Sequence, residues 1–213
     1  MIPALIAIRH GATAFNSETL GANEKLRGWL DLPLTHQGMK DAHVLAAHLA
    51  PLPISQLYTS DLVRASAAAQ VIAQVNAGKP QVTMAAALRP WHVGQWAGQP
   101  VKRVLKTMLQ YQGALQDRPP PGGEPFRAFL ERFLHFAGPK FQEAIERGPI
   151  VLVSHTRNLR VLDAWMKKGA KDNMDLDAKT LLNKEHVGAG RGLAWVHDGS
   201  GWTRQELGPK GRK

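Results

Sequence analysis

The 213-residue chain contains no cysteine. This absence excludes a thiol nucleophile, a zinc–thiolate site, an iron–sulfur cluster and a disulfide framework. The sequence also lacks any run of the roughly 20 apolar residues that a membrane-spanning helix needs, so we expect no membrane partner. A chain of this length can bury enough apolar surface to fold without covalent or metal cross-links.

The sequence shows no sign of export either. Its first eight residues lack a basic leader and run through an apolar segment directly into Arg9 and His10, which predicts a strand there and no signal peptide. The lack of cysteine fits a reducing compartment. We therefore expect a cytoplasmic protein.

Acidic residues are scarce relative to basic ones. The 17 Asp and Glu residues stand against 27 Lys and Arg residues, which gives a formal net charge of +10 and a pI near 10.2. A pI this high is typical of proteins that bind nucleic acid. A site for a phosphorylated small molecule also gains from a positive field, so composition leaves both kinds of partner open.

Short apolar runs alternate with amphipathic stretches, which is typical of a layered α/β domain. Residues 5–8 and 150–153 are continuous apolar runs, as expected of parallel strands that are buried on both faces. Without a repeat or a linker, the sequence predicts one domain over residues 1–213, of which 207–213 form a flexible basic tail.

Hydrophobic periodicity predicts the remaining elements. The last strands should form a closing hairpin, and one helix should bend where Gly138 precedes Pro139. We predict helices around 42–49, 62–73, 101–111, 126–141 and 158–168, a strand within 81–88, hairpin strands at 192–197 and 201–206, a long loop at 14–28 and a loop or short helix at 171–184.

Each of the two continuous apolar runs ends in a histidine. His10 follows the first run, with Arg9 beside it, and His155 follows the second. Because sites in open parallel sheets lie outside the carboxyl ends of the strands, the two imidazoles should meet at one edge. A single histidine at a strand end is more often a hydrogen-bonded core residue. The pair, together with an arginine suited to phosphate oxygens, favours an anion site.

The residues around His10 belong to a longer series of motifs. Residues 9–16 read RHGATAFN, which resembles the RHGxTxxN signature of the histidine phosphatase superfamily, a family that includes the cofactor-dependent phosphoglycerate mutases. The matches span residues 5–160, so the resemblance is far more specific than RHG alone. Four further segments follow in the order of that family: 27–38 with its DLPLT run, 60–65 (SDLVRA), 121–124 (PGGE) and 154–160 (SHTRNLR).

The resemblance implies a three-layer α/β fold like that of the phosphoglycerate mutases, with a mostly parallel sheet flanked by helices. It also implies that His10 is the nucleophile and carries a phosphohistidine. Arg9, Arg64 and His155 would surround the equatorial oxygens of the transferred phosphoryl group.

The same resemblance implies contacts to the substrate. Gly11 would let the backbone approach the ligand, and Asn16 and Arg27 would be further phosphate or substrate contacts. The scheme needs no metal and no cofactor. Its partner is a phosphorylated small molecule, and nucleic acid is the less favoured partner.

The chain departs from the family pattern at the proton donor. Residues 88–98 match the segment in which the family carries a Glu general acid, and Pro90 stands at that position. Proline cannot transfer a proton, and a positioned acid is typically worth about 10²- to 10⁴-fold in rate. His92 is the nearest titratable candidate, ahead of Glu124 and Asp61. Mutases that keep the Glu also have a His there, however, so a structural role stays open.

Two more departures follow His155. Thr156 replaces the usual Gly, and Arg157 stands where the mutases have an Asn, so both are candidate substrate contacts; a solvated first helical turn explains Arg157 equally well. Only residues 99–120 occupy the place of the longer basic insertion of the mutases, which favours a phosphatase. The alternatives are a mutase-like phosphotransferase and a binding module for phosphorylated ligands or nucleic acid that has lost catalysis.

Overall fold

The computed structural model describes residues 4–15, 24–170 and 187–208. Six strands form one mixed sheet in the order β3-β2-β4-β1-β5-β6. The first four strands pair in parallel, whereas β5 is antiparallel to β1 and to β6. The strands are β1 (Ala4–Arg9), β2 (Gln56–Thr59), β3 (Val82–Met84), β4 (Ile150–Ser154), β5 (Gly192–His197) and β6 (Trp202–Leu207).

Strands β1 and β4 lie side by side in the middle of the sheet. Every residue of both strands is buried, as expected for apolar runs that are covered on both faces. Their register pairs Arg9 with Ser154. The residues that follow, His10 and His155, therefore leave the sheet at the same edge.

Alternate residues of the central strands face two different helical layers. The helices are α1 (His36–Leu49), α2 (Val63–Val75), α3 (Val101–Tyr111), α4 (Phe126–Ala137), α5 (Pro139–Arg147) and α6 (Thr156–Lys167). Ile6 and Ile8 pack in one core with α1 and α2, whereas Leu5 and Ala7 pack in another with α3 to α6. The fold is thus the predicted three-layer α/β arrangement.

Most predicted elements are confirmed, including the hairpin of β5 and β6. The long amphipathic stretch ends as α4 at Ala137 and restarts as α5 at Pro139, because proline fits the first turn of a helix and not its interior. The sequence did not predict β2, since four residues are too few to show an alternation. Of the range 81–88, in which a strand was predicted, only Val82–Met84 forms the strand β3. A short 3-10 helix follows at Ala86–Leu88.

One residue of the predicted basic tail, Leu207, lies in a strand instead. Leu207 ends β6 and pairs with Gly192, so residue 207 belongs to the sheet. Residues 209–213 and the predicted loop at 171–184 lie outside the described residues. Within the described ranges, no helix combines the length and apolar character that crossing a membrane requires.

Two glycines let the loop after β1 pack onto the start of α1. A Cβ atom at Gly11 would lie 2.2 Å from the carbonyl oxygen of Gly38, and one at Gly38 would lie 2.1 Å from the carbonyl oxygen of Ala12. Thr35 caps the helix, and its Oγ1 accepts the N–H of Gly38 at 3.1 Å. This backbone contact holds the loop that carries His10.

Candidate active site

His10 and His155 meet at the carboxyl edge of the two central strands. Their ring centroids are 5.1 Å apart in an edge-to-face arrangement. Only 2% of His10 and 4% of His155 is exposed. The parallel register of β1 and β4 thus brings together two histidines that are 145 positions apart in the sequence (155 − 10).

The ring of His10 is held in one tautomer. Its Nδ1 lies 2.7 Å from the carbonyl oxygen of Gly11, and since a carbonyl oxygen only accepts, Nδ1 carries the proton and Nε2 keeps its lone pair. Burial, followed by the charges of Arg27, Arg64 and Arg9, lowers the pKa of His10 well below its ordinary value. The ring is therefore neutral at pH 7, which is the nucleophilic form of histidine.

His155 presents unused hydrogen-bonding groups to the site. Both of its ring nitrogens are buried, and neither has a partner among the described residues. Burial first, and then the charge of Arg64, lowers the pKa of His155 well below its ordinary value. Because a buried polar group without a partner costs about 1–3 kcal/mol, these nitrogens indicate a ligand that supplies the partner.

The lowered pKa values of the two histidines make stability depend on pH. Below about pH 6.5 the unfolded chain takes up protons at these side chains and the folded chain does not, so the free energy of unfolding falls with falling pH and is constant above that value. Between pH 6.5 and 5.5 we expect the pair to remove about 2 kcal/mol. Urea unfolding at both pH values measures this loss.

Two variants assign that loss to the site. His155→Gln should remove about half of it, whereas replacement of the exposed His43 by Gln should leave it unchanged. An identical pH dependence for the wild-type and His155→Gln proteins would contradict the assignment.

Arg64 is fully buried at the start of α2. Its Nη1 donates to the carbonyl oxygen of Leu30 at 2.7 Å, and its Nη2 donates to that of Gly28 at 2.9 Å. Its Nε is buried and has no partner in the described part of the chain. Burial and Arg27 lower the pKa of Arg64 to about 10, so the guanidinium is still charged at neutral pH.

Arg9 and Arg27 add two further cations. Nη1 of Arg9 donates to the carbonyl oxygen of Val187 at 2.8 Å, and burial followed by the charge of Arg27 lowers the pKa of Arg9 to about 9. Nη2 of Arg27 donates to Oε1 of Glu24 at 3.2 Å. One carboxylate does not balance three guanidiniums, so the geometry and charge suit an anionic ligand.

A cleft of about 290 Å³ opens over the histidine pair. A cleft of this volume can hold a compact metabolite. Six of the predicted site residues line it. The residues along its wall are His10, Glu24, Leu26, Arg27, Gly28, Arg64, Pro90, Trp91, Val93, Val101, Leu105, Met108, His155, Thr156, Arg157 and Arg160.

Two other predicted residues of the described chain, Arg9 and Gly11, do not form part of this wall. Arg9 lies behind it, close enough for its charge to lower the pKa of His10. Gly11 packs against Gly38, so its lack of a side chain serves the backbone contact in the structure. Asn16 lies outside the described residues.

Arg157 is part of the cleft wall at the start of α6. Its Nη2 contacts Sδ of Met108 at 3.7 Å, and its Nη1 is buried without a partner among the described residues. Burial, followed by the charge of Arg160, lowers the pKa of Arg157 to about 10. Arg157 thus lies in the cleft wall and not on a solvated helical turn, and its contact with a substrate stays a prediction.

The sequence did not predict several residues of the wall. Neither Glu24 nor Arg160 was identified from the sequence as a site residue, and α3 was predicted only as a helix. One face of α3 supplies Val101, Leu105 and Met108 to the cleft. Their helical spacing was visible in the sequence, where an apolar face that lines a cleft looks the same as one that packs in a core.

Pro90 lines the cleft, and His92 does not. The neighbours of His92, Trp91 and Val93, line the wall, whereas the ring of His92 packs on Trp29 with the centroids 4.4 Å apart. The Nε1 of Trp29 donates to the carbonyl oxygen of Pro90 at 2.8 Å. His92 thus packs on Trp29 and is not among the described residues that line the cleft with His10 and His155.

The two weaker candidates for a proton donor are held in ion pairs outside the cleft wall. Glu124 accepts from Nη2 of Arg132 at 2.7 Å and from the backbone N–H of His92 at 2.9 Å. Asp61 accepts from Nε of Arg89 at 2.8 Å, and this bond lowers the pKa of Asp61 below its ordinary value. In the described ranges, no three His, Asp or Glu side chains are grouped as a metal ion would require.

A sequence profile of the histidine phosphatase superfamily (branch 1) matches residues 5–181, so the chain belongs to this superfamily. It is 30% identical over 166 residues to 2,3-bisphosphoglycerate-dependent phosphoglycerate mutase 2 of Gloeobacter violaceus, a match that covers 74% of this chain and 73% of the relative. It is also 31% identical over 147 residues to fructose-2,6-bisphosphatase TIGAR B of Danio rerio, covering 67% and 55% of the two chains.

Solved structures agree with this assignment. The alpha-ribazole phosphatase of Shigella flexneri has the same fold, with a TM-score of 0.71, 23% identity and coverage of 96% of this chain and 95% of that one. The phosphoglycerate mutase of Thermus thermophilus superposes with a TM-score of 0.61 at 28% identity, and the match covers 97% of this chain and 99% of that one. Phosphatases and mutases are thus both among the relatives of this chain.

Proposed function

We propose that the protein is a metal-independent phosphatase that hydrolyses a small phosphorylated substrate through a phosphohistidine on His10. The observation that carries the proposal is the state of the His10 ring. It is neutral, its proton is fixed on Nδ1 by the carbonyl oxygen of Gly11, and it lines a cleft among arginines. Nε2 then attacks phosphorus, and the ring holds its positive charge against the same carbonyl oxygen.

Arg64, Arg27, Arg9 and His155 are proposed to hold the phosphoryl oxygens. The carbonyl contacts of Arg64 fix its guanidinium before a substrate arrives, so little reorganisation is needed as charge moves in the transition state. The free nitrogens of His155 supply one neutral donor. This arrangement supports acceleration by preorganised charge rather than by a metal ion.

A phosphotransferase of the mutase type is the second candidate. The observation that favours it is Arg157, whose unpartnered Nη1 adds a second anion contact beside Thr156. Such a contact would hold a substrate that must be rephosphorylated before it leaves. The short segment 99–120 between the two motifs favours the phosphatase over this alternative. Location in the cytoplasm stays a prediction, which the lack of cysteine supports.

The test of the proposed function is the covalent intermediate. With p-nitrophenyl phosphate and excess EDTA we expect release of phosphate, and quenching of the reaction in alkaline denaturant should trap a phosphoryl group that is stable in base and labile in acid. Peptide mapping should locate it on His10. Isomerised substrate without net release of phosphate would favour the phosphotransferase, and no label with any phosphoester would contradict both.

His92 is expected to have little part in proton transfer. Its ring packs on Trp29 and does not line the cleft, so His92→Ala should change kcat/KM by less than about 3-fold, against the 10²- to 10⁴-fold loss typical of removing a general acid. Alkyl phosphates, which are poor leaving groups, are the sensitive substrates for this measurement. A loss above 10²-fold with unchanged stability would instead make His92 the acid.

A further inference from the structure

Glu24 is the one carboxylate among the described residues that line the cleft. Its side chain is 28% exposed, and its Oε1 accepts from Nη2 of Arg27 at 3.2 Å. As the acceptor in an ion pair, the carboxylate presents lone pairs to the cleft. It thus provides a basic group in the cleft that Pro90 also lines.

The backbone of Glu24 is fixed on the entry to α3. The N–H of Val101 donates to its carbonyl oxygen at 2.8 Å, and the N–H of Leu26 donates to the carbonyl oxygen of Gln99 at 2.9 Å. The N–H of Gly98 donates to the carbonyl oxygen of Leu26 at 2.7 Å. This short antiparallel pairing fixes the backbone of Glu24, and its side chain lines the cleft.

The charge of Glu24 acts on the cationic groups of the site. It raises the pKa values of Arg9, Arg27 and Arg160 against the effect of burial. The Glu24 carboxylate thus interacts electrostatically with Arg9 and Arg27, two of the arginines that are proposed to hold the phosphoryl group.

The proposed mechanism leaves one proton without an acceptor. When water attacks the phosphohistidine, a water proton must leave as the oxygen–phosphorus bond forms. Nε2 of His10 is bonded to phosphorus at that moment, and the pKa of His155, well below its ordinary value, makes that ring a poor base. Pro90 has no proton-transfer chemistry at all.

We propose that Glu24 is the general base of the second half-reaction. This inference rests on the phosphohistidine mechanism proposed above. The water oxygen bonds to phosphorus, the nitrogen–phosphorus bond breaks, and its electron pair returns to Nε2 and restores the neutral imidazole. The water proton passes to the Glu24 carboxylate and then to solvent, so the step releases phosphate and regenerates the enzyme.

The same assignment leaves the first half-reaction without a protein acid. The leaving oxygen departs with the bonding pair and takes its proton from water in the cleft. Esters with acidic leaving groups, such as aryl or acyl phosphates, should therefore form the phosphoenzyme much faster than alkyl phosphates. After that step all substrates share one rate of phosphate release, which Glu24 sets.

Pre-steady-state kinetics of Glu24→Gln with p-nitrophenyl phosphate tests the inference. We expect an unchanged first-turnover rate, a burst of one nitrophenolate per chain, and a steady-state rate lower by about 10²-fold, at the lower bound for removing a general base. The acid-labile label should rise towards one per chain. Glu24→Asp should recover part of the steady-state rate.

The matched control is Glu206→Gln, which also removes a carboxylate paired with an arginine, Arg191, but lies outside the cleft wall. It should behave as wild type. If Glu24→Gln slows the burst and the steady state equally, changes only KM, or changes nothing, Glu24 is not the base. Absence of a label on His10 in the wild-type and Glu24→Gln proteins alike would instead overturn the proposed function itself.

Discussion

Replacement of His10 by Ala should lower kcat/KM for p-nitrophenyl phosphate by at least about 10⁴-fold, the scale seen when a covalent nucleophile is removed. The reason is that the carbonyl oxygen of Gly11 fixes the proton of His10 on Nδ1, which leaves the lone pair of Nε2 free for attack. Arg64 and the other cations stay in place, so the variant should still bind inorganic phosphate. Turnover and phosphate affinity are measured on the same preparation.

The exposed His43 of α1 provides the control for this experiment. His43→Ala should retain full activity and should label with phosphate as the wild type does. Hydrolysis by His10→Ala at more than a few per cent of the wild-type rate would show that the phosphoryl group is transferred elsewhere. Because His10→Ala also removes the hydrogen bond from Nδ1 to the carbonyl oxygen of Gly11, we expect its free energy of unfolding to fall by about 1 kcal/mol.

Replacement of Arg64 by Lys should lower kcat/KM by about 10²- to 10³-fold, as for the loss of one preorganised donor to a developing charge. The two Nη atoms of Arg64 are used by carbonyl oxygens of the 28–30 segment, which leaves Nε for the ligand. A lysine has one ammonium group for both tasks and lacks the planar fork. The charge is kept, so the loss reports geometry rather than net charge.

Arg127→Lys is the matched control, because Arg127 pairs with Asp117 on the surface and should tolerate the change. Thermal unfolding of both variants separates lost activity from lost structure. A folded Arg64→Lys protein with wild-type turnover and wild-type affinity for phosphate would remove Arg64 from the proposed phosphate site.

The positive charge of the chain is only partly explained by this site. Arg9, Arg27, Arg64, Arg157 and Arg160 account for five cations in or behind the cleft wall, and the one acidic residue among the described wall residues is Glu24. These five arginines explain why basic side chains stand at particular positions. They do not explain the remaining excess, for which the described structure offers no assigned partner.

Much of the fold could be predicted because its signals are local. The continuous apolar runs of β1 and β4 and the helical spacing of α1, α2 and α3 each lie within a dozen or so residues, and burial on one or two faces imposes these patterns directly. The short strand β2 gave no such signal. It exists because the neighbouring strands β3 and β4 pair with it, which is a property of distant residues.

The sequence by itself determined the histidine pair, the arginine beside it and the superfamily. A strand end fixes where the next residue leaves a parallel sheet, so two such ends in adjacent strands fix two side chains at one edge. Motifs that follow one another in order carry this information without reference to packing. The absence of cysteine further restricts the nucleophile to another residue type.

Only the tertiary structure decided which other side chains enter the cleft. Pro90 and Trp91 line it while His92 turns towards Trp29, and Glu24 reaches it because its backbone pairs with the entry to α3. Side-chain directions in irregular segments follow from long-range backbone contacts and packing, which spacing along the chain does not encode. The described wall of the cleft therefore includes Pro90 and the Glu24 carboxylate but not the imidazole of His92.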